Sequence, residues 1–168
     1  TFVMATSPTL PPMAYADQKG VLKGLRVDLG YEIAKRLCLK AEFISTEYAA
    51  MIPGLQGKRW DMIDAGLFVT PERLKILYMI PYENLAISIS TAVKSGAPIT
   101  KVDDLAGKTI STDIGGYAER KMRDLNKDFQ ARGLPQMTIN LFDNYATVYQ
   151  ALRAGQVVSK TELTEHLY

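Results

Sequence analysis

The sequence is short of the residues that carry most reactive chemistry: one cysteine, one histidine and one tryptophan in 168 residues. A single cysteine, Cys38, has no internal disulfide partner and says little about redox compartment. It follows Leu37 in an apolar stretch and is expected as a small buried hydrophobe. The lone histidine, His166, stands near the C-terminus without companion ligands. That argues against a His/Cys metal site and against a histidine-based triad in the body of the chain. No cofactor is called for. Apolar runs fall short of the ~20 residues that span a bilayer. There is no basic stripe either; acids and bases interleave to a net charge of +2, so nucleic-acid binding has no electrostatic support. Tandem repeats and low-complexity segments are absent. The chain opens on Thr1-Phe2-Val3-Met4 without a leader, and because processing removes leaders this start is no argument for the cytoplasm.

What is present is a globular composition, 47% hydrophobic and 23% charged, over a length that suits one ordinary domain or two small ones. Phe2 to Ala5 reads as a strand, followed by a proline-rich loop through Pro8, Pro11 and Pro12 to Tyr15. Asp28 is placed as the N-cap of a helix with Leu29, Ile33 and Leu37 on one face. Leu39 to Ser45 reads as a strand, Thr46 as the cap of a helix from Tyr48 to Leu55 that Gly57 ends, and Trp60 to Ala65 as a third strand. This βαβαβ order predicts a parallel sheet with right-handed crossovers and ligands at the carboxyl ends of its strands.

Leu85 to Val93 reads as an extended crossover, followed by a Ser95-Gly96-Ala97-Pro98 loop. A second βα lobe then repeats the grammar. It has a short helical turn at Asp103 to Lys108, a strand at Thr109 to Thr112 and a glycine loop at Ile114-Gly115-Gly116. A helix from Tyr117 to Arg132 follows, with Met122, Leu125 and Phe129 on one face. Leu134-Pro135 breaks it, Met137 to Phe142 is a strand, and Tyr145 to Ala154 a helix ended by Gly155. The implied organisation is lobe 1 over 1–88, a hinge over 89–93 and lobe 2 over 94–168.

The stretch from Ala65 to Arg73 carries the chemistry. Thr70-Pro71-Glu72 has the form of a helix start: a hydroxyl cap, proline at the first helical position and an acid in the first turn. Arg73 in that turn sits poorly against the helix dipole, but beside unpaired N–H groups it makes a local anion site. The plainer reading is a surface arginine.

Gly24-Leu25-Arg26-Val27-Asp28-Leu29, Ile52-Pro53-Gly54-Leu55, Gly57-Lys58-Arg59-Trp60-Asp61, Thr70-Pro71-Glu72-Arg73 and Pro81-Tyr82 resemble, in order, the extracellular solute-binding proteins for polar amino acids that serve ABC importers. Asp104-Leu105-Ala106-Gly107-Lys108 and Ala151-Leu152-Arg153-Ala154-Gly155 continue the match. The resemblance implies an α/β, two-lobed, type II periplasmic-binding-protein fold with a ligand cleft between the lobes. It implies a non-enzymatic binding role, a small zwitterionic ligand, ABC transporter membrane subunits as partners, and a periplasmic or membrane-anchored extracellular location. It implies that Arg73 grips the ligand carboxylate with a bidentate fork, joined by the Thr70 N–H. Gly66 would offer its carbonyl to the ligand ammonium, and Thr112 and Gly116 would close over the carboxylate with loop N–H groups. Tyr15 is the stacking candidate from the loop after the first strand.

Two departures from that pattern stand out. Phe68 occupies a position often held by Ser or Thr; with Tyr15 and Tyr48 it would box a cationic or alkylated nitrogen, as in relatives that bind ectoine or opines. Alternatively, Phe68 packs within its lobe and Tyr48 lies on its helix face. The second departure is the tail, Gly155 to Glu162, in place of the usual Asp-Ala and ammonium-binding aspartate. The chain ends where that family crosses back to complete its first lobe, and a shortened first lobe would invite association with a second copy. A cyclohexadienyl-dehydratase-like enzyme, with Asp113 and Glu162 as its only plausible carboxylates, and the sensor domain of a receptor kinase are the competing functions.

Overall fold

A computed structural model describes residues 1–91 and 99–165. The chain divides into two compact units, residues 1–66 with 143–147, and residues 67–142 with the described chain from 148 onward.

The first unit is built on β1 (Phe2–Thr6), whose Met4 and Ala5 are fully buried. The proline-rich loop that follows is more ordered than the sequence suggests. It folds into a small antiparallel sheet of β2 (Thr9–Leu10), β3 (Ala14–Ala16) and β4 (Leu22–Lys23). Helix α1 (Leu25–Arg36) leads to β5 (Ala41–Ser45), and α2 (Tyr48–Gln56) leads to β6 (Met62–Ile63). β5, β1 and β6 form one sheet in that order, with both pairs parallel, as the βαβαβ reading expects.

Local details correct that reading. The N-cap of α1 is Gly24 rather than Asp28, which lies inside the first turn. Gly24 has φ 124°, and a Cβ there would stand 2.4 Å from the Met13 carbonyl oxygen, so backbone geometry rather than side-chain capping starts this helix. Its buried face is Arg26, Val27, Gly30 and Ala34, while Leu37 is 54% exposed. α2 starts from Glu47 instead of Thr46. The third strand pairs only at Met62 and Ile63, far less than Trp60 to Ala65, and the second begins at Ala41 rather than Leu39. Cys38 is exposed, not buried, and takes φ 55° in the turn that ends α1. A left-handed conformation just past the helix turns the side chain away from the apolar face.

In the second unit, α3 (Pro71–Leu74) is a single turn, followed by β7 (Leu85–Thr91) and a 3₁₀ turn (Val102–Leu105). β8 (Thr109–Asp113), α4 (Tyr117–Ala131) and β9 (Thr138–Phe142) complete its central βαβ element. α5 (Tyr145–Arg153) and β10 (Ser159–Glu165) end the described chain. The sheet order is β7-β10-β8-β9, with β10 antiparallel to β7 and parallel to β8, and β8 parallel to β9. The tail, read from sequence only as a divergent segment, is thus an interior strand. Leu105, Ile110, Met122, Phe129 and Met137 form the core, with Leu125 partly buried against them, so the expected apolar face of α4 is present. Val93, the Ser95–Pro98 loop, part of the expected 89–93 hinge and His166 lie outside the described residues.

Candidate functional site

The segment after β6 folds as its local chemistry dictates. Thr70 is the N-cap of α3, its hydroxyl accepting from the Arg73 N–H at 3.2 Å, and Pro71 fills the first helical position. Arg73 is half-buried, and its Nη1 donates to the Phe68 carbonyl at 3.0 Å. The guanidinium is therefore folded back toward its own loop. Phe68 is stacked on Tyr117 at the start of α4, centroids 4.2 Å apart and planes at 21°. Lys121 Nζ lies 5.2 Å from the centre of the Tyr117 ring. One residue before Arg73, Glu72 Oε2 accepts from Arg120 Nη1 at 2.7 Å. Arg120, then Glu72's own backbone N–H and the Thr70 hydroxyl, hold the Glu72 carboxyl down to about 2.

At the glycine loop the structure adds a carboxylate. Thr112 and Asp113 are both fully buried, and the Thr112 hydroxyl donates to Asp113 Oδ1 at 3.2 Å. A Cβ on Gly116 would fall 2.4 Å from Asp113 Oδ2, so the loop closes directly onto that carboxylate and any side chain there would force the carboxylate to shift. The Gly115 N–H is taken by Glu119 Oε2 at 2.8 Å. Two acidic side chains thus already answer the positive end of α4. The sequence marked Asp113 only as an acid for the enzyme alternative; in the structure it is fully buried beside Gly116.

In the first unit, Tyr15 sits half-buried on β3 between Thr9 and Lys23. Tyr48 is 7% exposed and meets Tyr145 edge to face at 6.2 Å, so its described ring partner is neither Tyr15 nor Phe68. Gly66 is buried over the guanidinium of Arg26: a Cβ there would lie 2.7 Å from Arg26 Nη2 and 3.1 Å from its Cζ. Arg26 itself is 2% exposed, and Asp64, two residues before Gly66, is 4% exposed. Sequence reasoning missed this buried arginine, although Arg26 shares a helix face with Gly30 and Ala34. Tyr117 was missed as well; its signal was only an aromatic directly after two glycines.

Glu47 carries a separate electrostatic feature. Burial pushes its carboxyl up, a hydrogen bond with Asn144 works against that, and the charge of Asp143 adds to the rise. Its Oε2 is buried without a hydrogen-bond partner among the described residues. A raised folded-state value means that the native protein holds this proton longer than the unfolded chain. The stability contribution is therefore complete below the unfolded carboxylate value of about 4.3 and lost as pH rises through the folded one. Glu47→Gln is expected to raise the melting temperature at neutral pH, the gain vanishing near about pH 4. Thermal denaturation across that range checks the sign, and a constant gain at every pH would remove the electrostatic explanation.

A family model described as bacterial extracellular solute-binding proteins, family 3, matches residues 2–164. The chain belongs to this family. Its fold is accordingly the α/β type II binding-protein fold. This family 3 solute-binding chain is 29% identical over 131 residues to a probable ABC transporter arginine-binding protein, ArtJ, of Chlamydia trachomatis, covering 75% of this chain and 49% of that protein. It is 29% identical over 158 residues to the lysine/arginine/ornithine-binding periplasmic protein of Escherichia coli, covering 94% of this chain and 58% of that one. The chain therefore spans about half to three-fifths of the length of these relatives.

Among solved structures, an ancestral arginine-binding protein bound to glutamine matches with a TM-score of 0.85 at 30% identity, over 96% of this chain and 68% of that one. An ancestral amino acid-binding protein described as a precursor of cyclohexadienyl dehydratase matches with a TM-score of 0.82 at 23% identity, over 96% of this chain and 69% of that one, a likeness of fold alone. The curated relatives are named for binding and transport. No helix among the described residues is long and apolar enough to cross a membrane.

Proposed function

We propose that this chain is the ligand-binding portion of an ABC importer's amino-acid-binding protein. It captures an amino acid or amino-acid-like zwitterion and performs no chemistry on it. The observation that carries the reading is Arg73, set at the start of α3 by the Thr70 cap and oriented by the Phe68 carbonyl. A guanidinium fork held in this way suits a carboxylate, because it matches the anion's two oxygens and keeps its charge at every relevant pH. The relatives' names support amino acids as the ligand class, and the ammonium would be received by the Gly66 carbonyl. Thr70, Phe68, Tyr15, Tyr48, Thr112 and Gly116 remain the proposed surround. Delivery to transporter membrane subunits, from the periplasm or from an anchored extracellular position, completes the proposal.

A thermal-shift screen tests it, with L-arginine, L-lysine, L-glutamine, L-cystine, octopine, ectoine and glycine betaine as probes. A true ligand at a hundred times its Kd should add about 2.7 kcal/mol of stability, on the order of 5–10 °C for a chain of this size. Agmatine, which lacks the carboxylate, should give no shift. Stabilisation by agmatine equal to that by L-arginine would sink the carboxylate clamp. Turnover of prephenate by the purified protein would replace binding with catalysis as the function.

A further inference from the structure

We propose that Tyr117 and Arg120 of α4 are positioning residues for the Arg73 clamp, acting through Phe68 and Glu72. The inference rests on the reading of Arg73 as the ligand's carboxylate partner, and its test is arranged so that the two can fail separately.

α3 is four residues long and none of them is buried. A single turn of helix has no stability of its own. The Thr70 cap and the Arg73–Phe68 bond are both local and shape the segment 67–74. Side-chain contacts from it reach the first turn of α4: the Phe68–Tyr117 stack at 4.2 Å and the Glu72–Arg120 pair at 2.7 Å. Phe68 and Glu72 are four residues apart on either side of the capping Thr70, and Tyr117 and Arg120 are three apart, so one helical turn receives both.

Phe68 does two things at once. Its ring rests on Tyr117, and its carbonyl accepts from Arg73 Nη1. Displacing the ring moves the carbonyl, and with it the acceptor that aims the guanidinium. Glu72 is the residue directly before Arg73, so its pairing sets the rotation of the same turn. A contact chain therefore runs from α4 to the ligand-gripping atoms without Tyr117 or Arg120 needing to touch ligand. Both members of the ion pair are about half exposed, at 51% and 57% of their side-chain surface. Such a pair contributes little to global stability and is screened by salt, which suits an adjustable support better than a structural strut. If the α4 contacts raise the fraction of molecules with Arg73 correctly placed, apparent affinity follows that fraction.

The experiment compares wild type, Tyr117→Ala, Tyr117→Phe, Arg120→Glu and the Glu72→Arg/Arg120→Glu double variant. Affinity is measured calorimetrically with L-arginine and L-glutamine at low and high salt, and hydrogen exchange is followed over residues 72–77. Tyr117→Ala is expected to bind about 3- to 10-fold more weakly, the range of an aromatic pair, while Tyr117→Phe keeps the stack and the affinity. Arg120→Glu is expected to weaken binding about 2- to 5-fold at low salt only, and the charge-reversed double variant to recover it. Exchange at 72–77 should quicken in the two weakened variants and return to wild-type rates in the restored ones.

Unchanged affinity in Tyr117→Ala and Arg120→Glu, with binding lost in Arg73→Ala, overturns the positioning role and leaves the clamp intact. If neither probe binds wild type, the clamp reading loses its support and exchange decides the positioning role. Unaltered protection at 72–77 in Tyr117→Ala then overturns it. A fall in melting temperature without the affinity and exchange pattern would likewise show an ordinary packing contact.

Discussion

Arg73→Ala is expected to weaken binding of the true ligand by on the order of 10- to 100-fold, while leaving the unliganded melting temperature nearly unchanged. The size follows from charge-assisted hydrogen bonds worth about 1.5–3 kcal/mol. The split follows from placement. Arg73 is half-buried on a single-turn helix none of whose residues is buried, and one of its side-chain bonds goes to the carbonyl of its own loop residue Phe68. Arg73→Lys should recover only part of the affinity, since an ammonium keeps the charge but not the two-pronged geometry. Calorimetric titration of the three proteins checks this. Wild-type affinity in Arg73→Ala would move the carboxylate site elsewhere in the chain.

The second large effect is expected on stability. A Cβ added at Gly54 would lie 2.0 Å from Cζ2 and 2.1 Å from Cη2 of Trp60, a distance at which something has to give. Trp60 cannot yield cheaply: it is 3% exposed, and its indole Nε1 donates to the Met51 carbonyl at 3.0 Å. The ring is thus fixed to the helix whose glycine it covers, one turn away. Gly54→Ala is expected to cost about 2–3 kcal/mol through overpacking, overriding the gain of roughly 0.5–1 kcal/mol that alanine brings to a helix interior. That amounts to a fall of roughly 4–12 °C for a chain of this length. Chemical denaturation alongside Gly54→Ser gives the check. A melting temperature equal to wild type in both would mean that the Trp60 ring moves freely, contrary to its packing.

The extent to which the sequence was readable differs element by element, for physical reasons. The Thr70 cap and the short helix behind it were legible because a hydroxyl, a proline and an acid in consecutive places act within one turn. The apolar face of α4 was legible because Met122, Leu125 and Phe129 repeat at helical spacing. The parallel β5-β1-β6 sheet followed from alternating strands and helices. The start of α1 was misread because Asp28 has the right chemistry for a cap, whereas the constraint that starts the helix is the close approach of Gly24 to Met13, which no local pattern announces. Cys38 was misplaced for a similar reason: its neighbours are apolar, but a left-handed residue past the helix end points it outward. The tail became an interior strand because it pairs with ladder partners 49 to 80 residues away in β8 and β7, which no local pattern announces.

By itself, the sequence determined the family and the βαβαβ order of the first sheet, and it proposed Arg73 as a carboxylate clamp. Each of these is written in residues close together in the chain, or in a string of short motifs whose order is itself informative. Only the tertiary structure decided which side chains meet: within the second unit Tyr117 under Phe68, Arg120 on Glu72 and Asp113 beside Gly116, and within the first Arg26 beneath Gly66. Except for Asp113 and Gly116, these partners lie about 40 to 50 residues apart in the chain. The reason is chain geometry. Caps and periodicity act over a few residues, whereas a ring stack or a buried guanidinium depends on which distant surfaces the fold brings within a few ångströms.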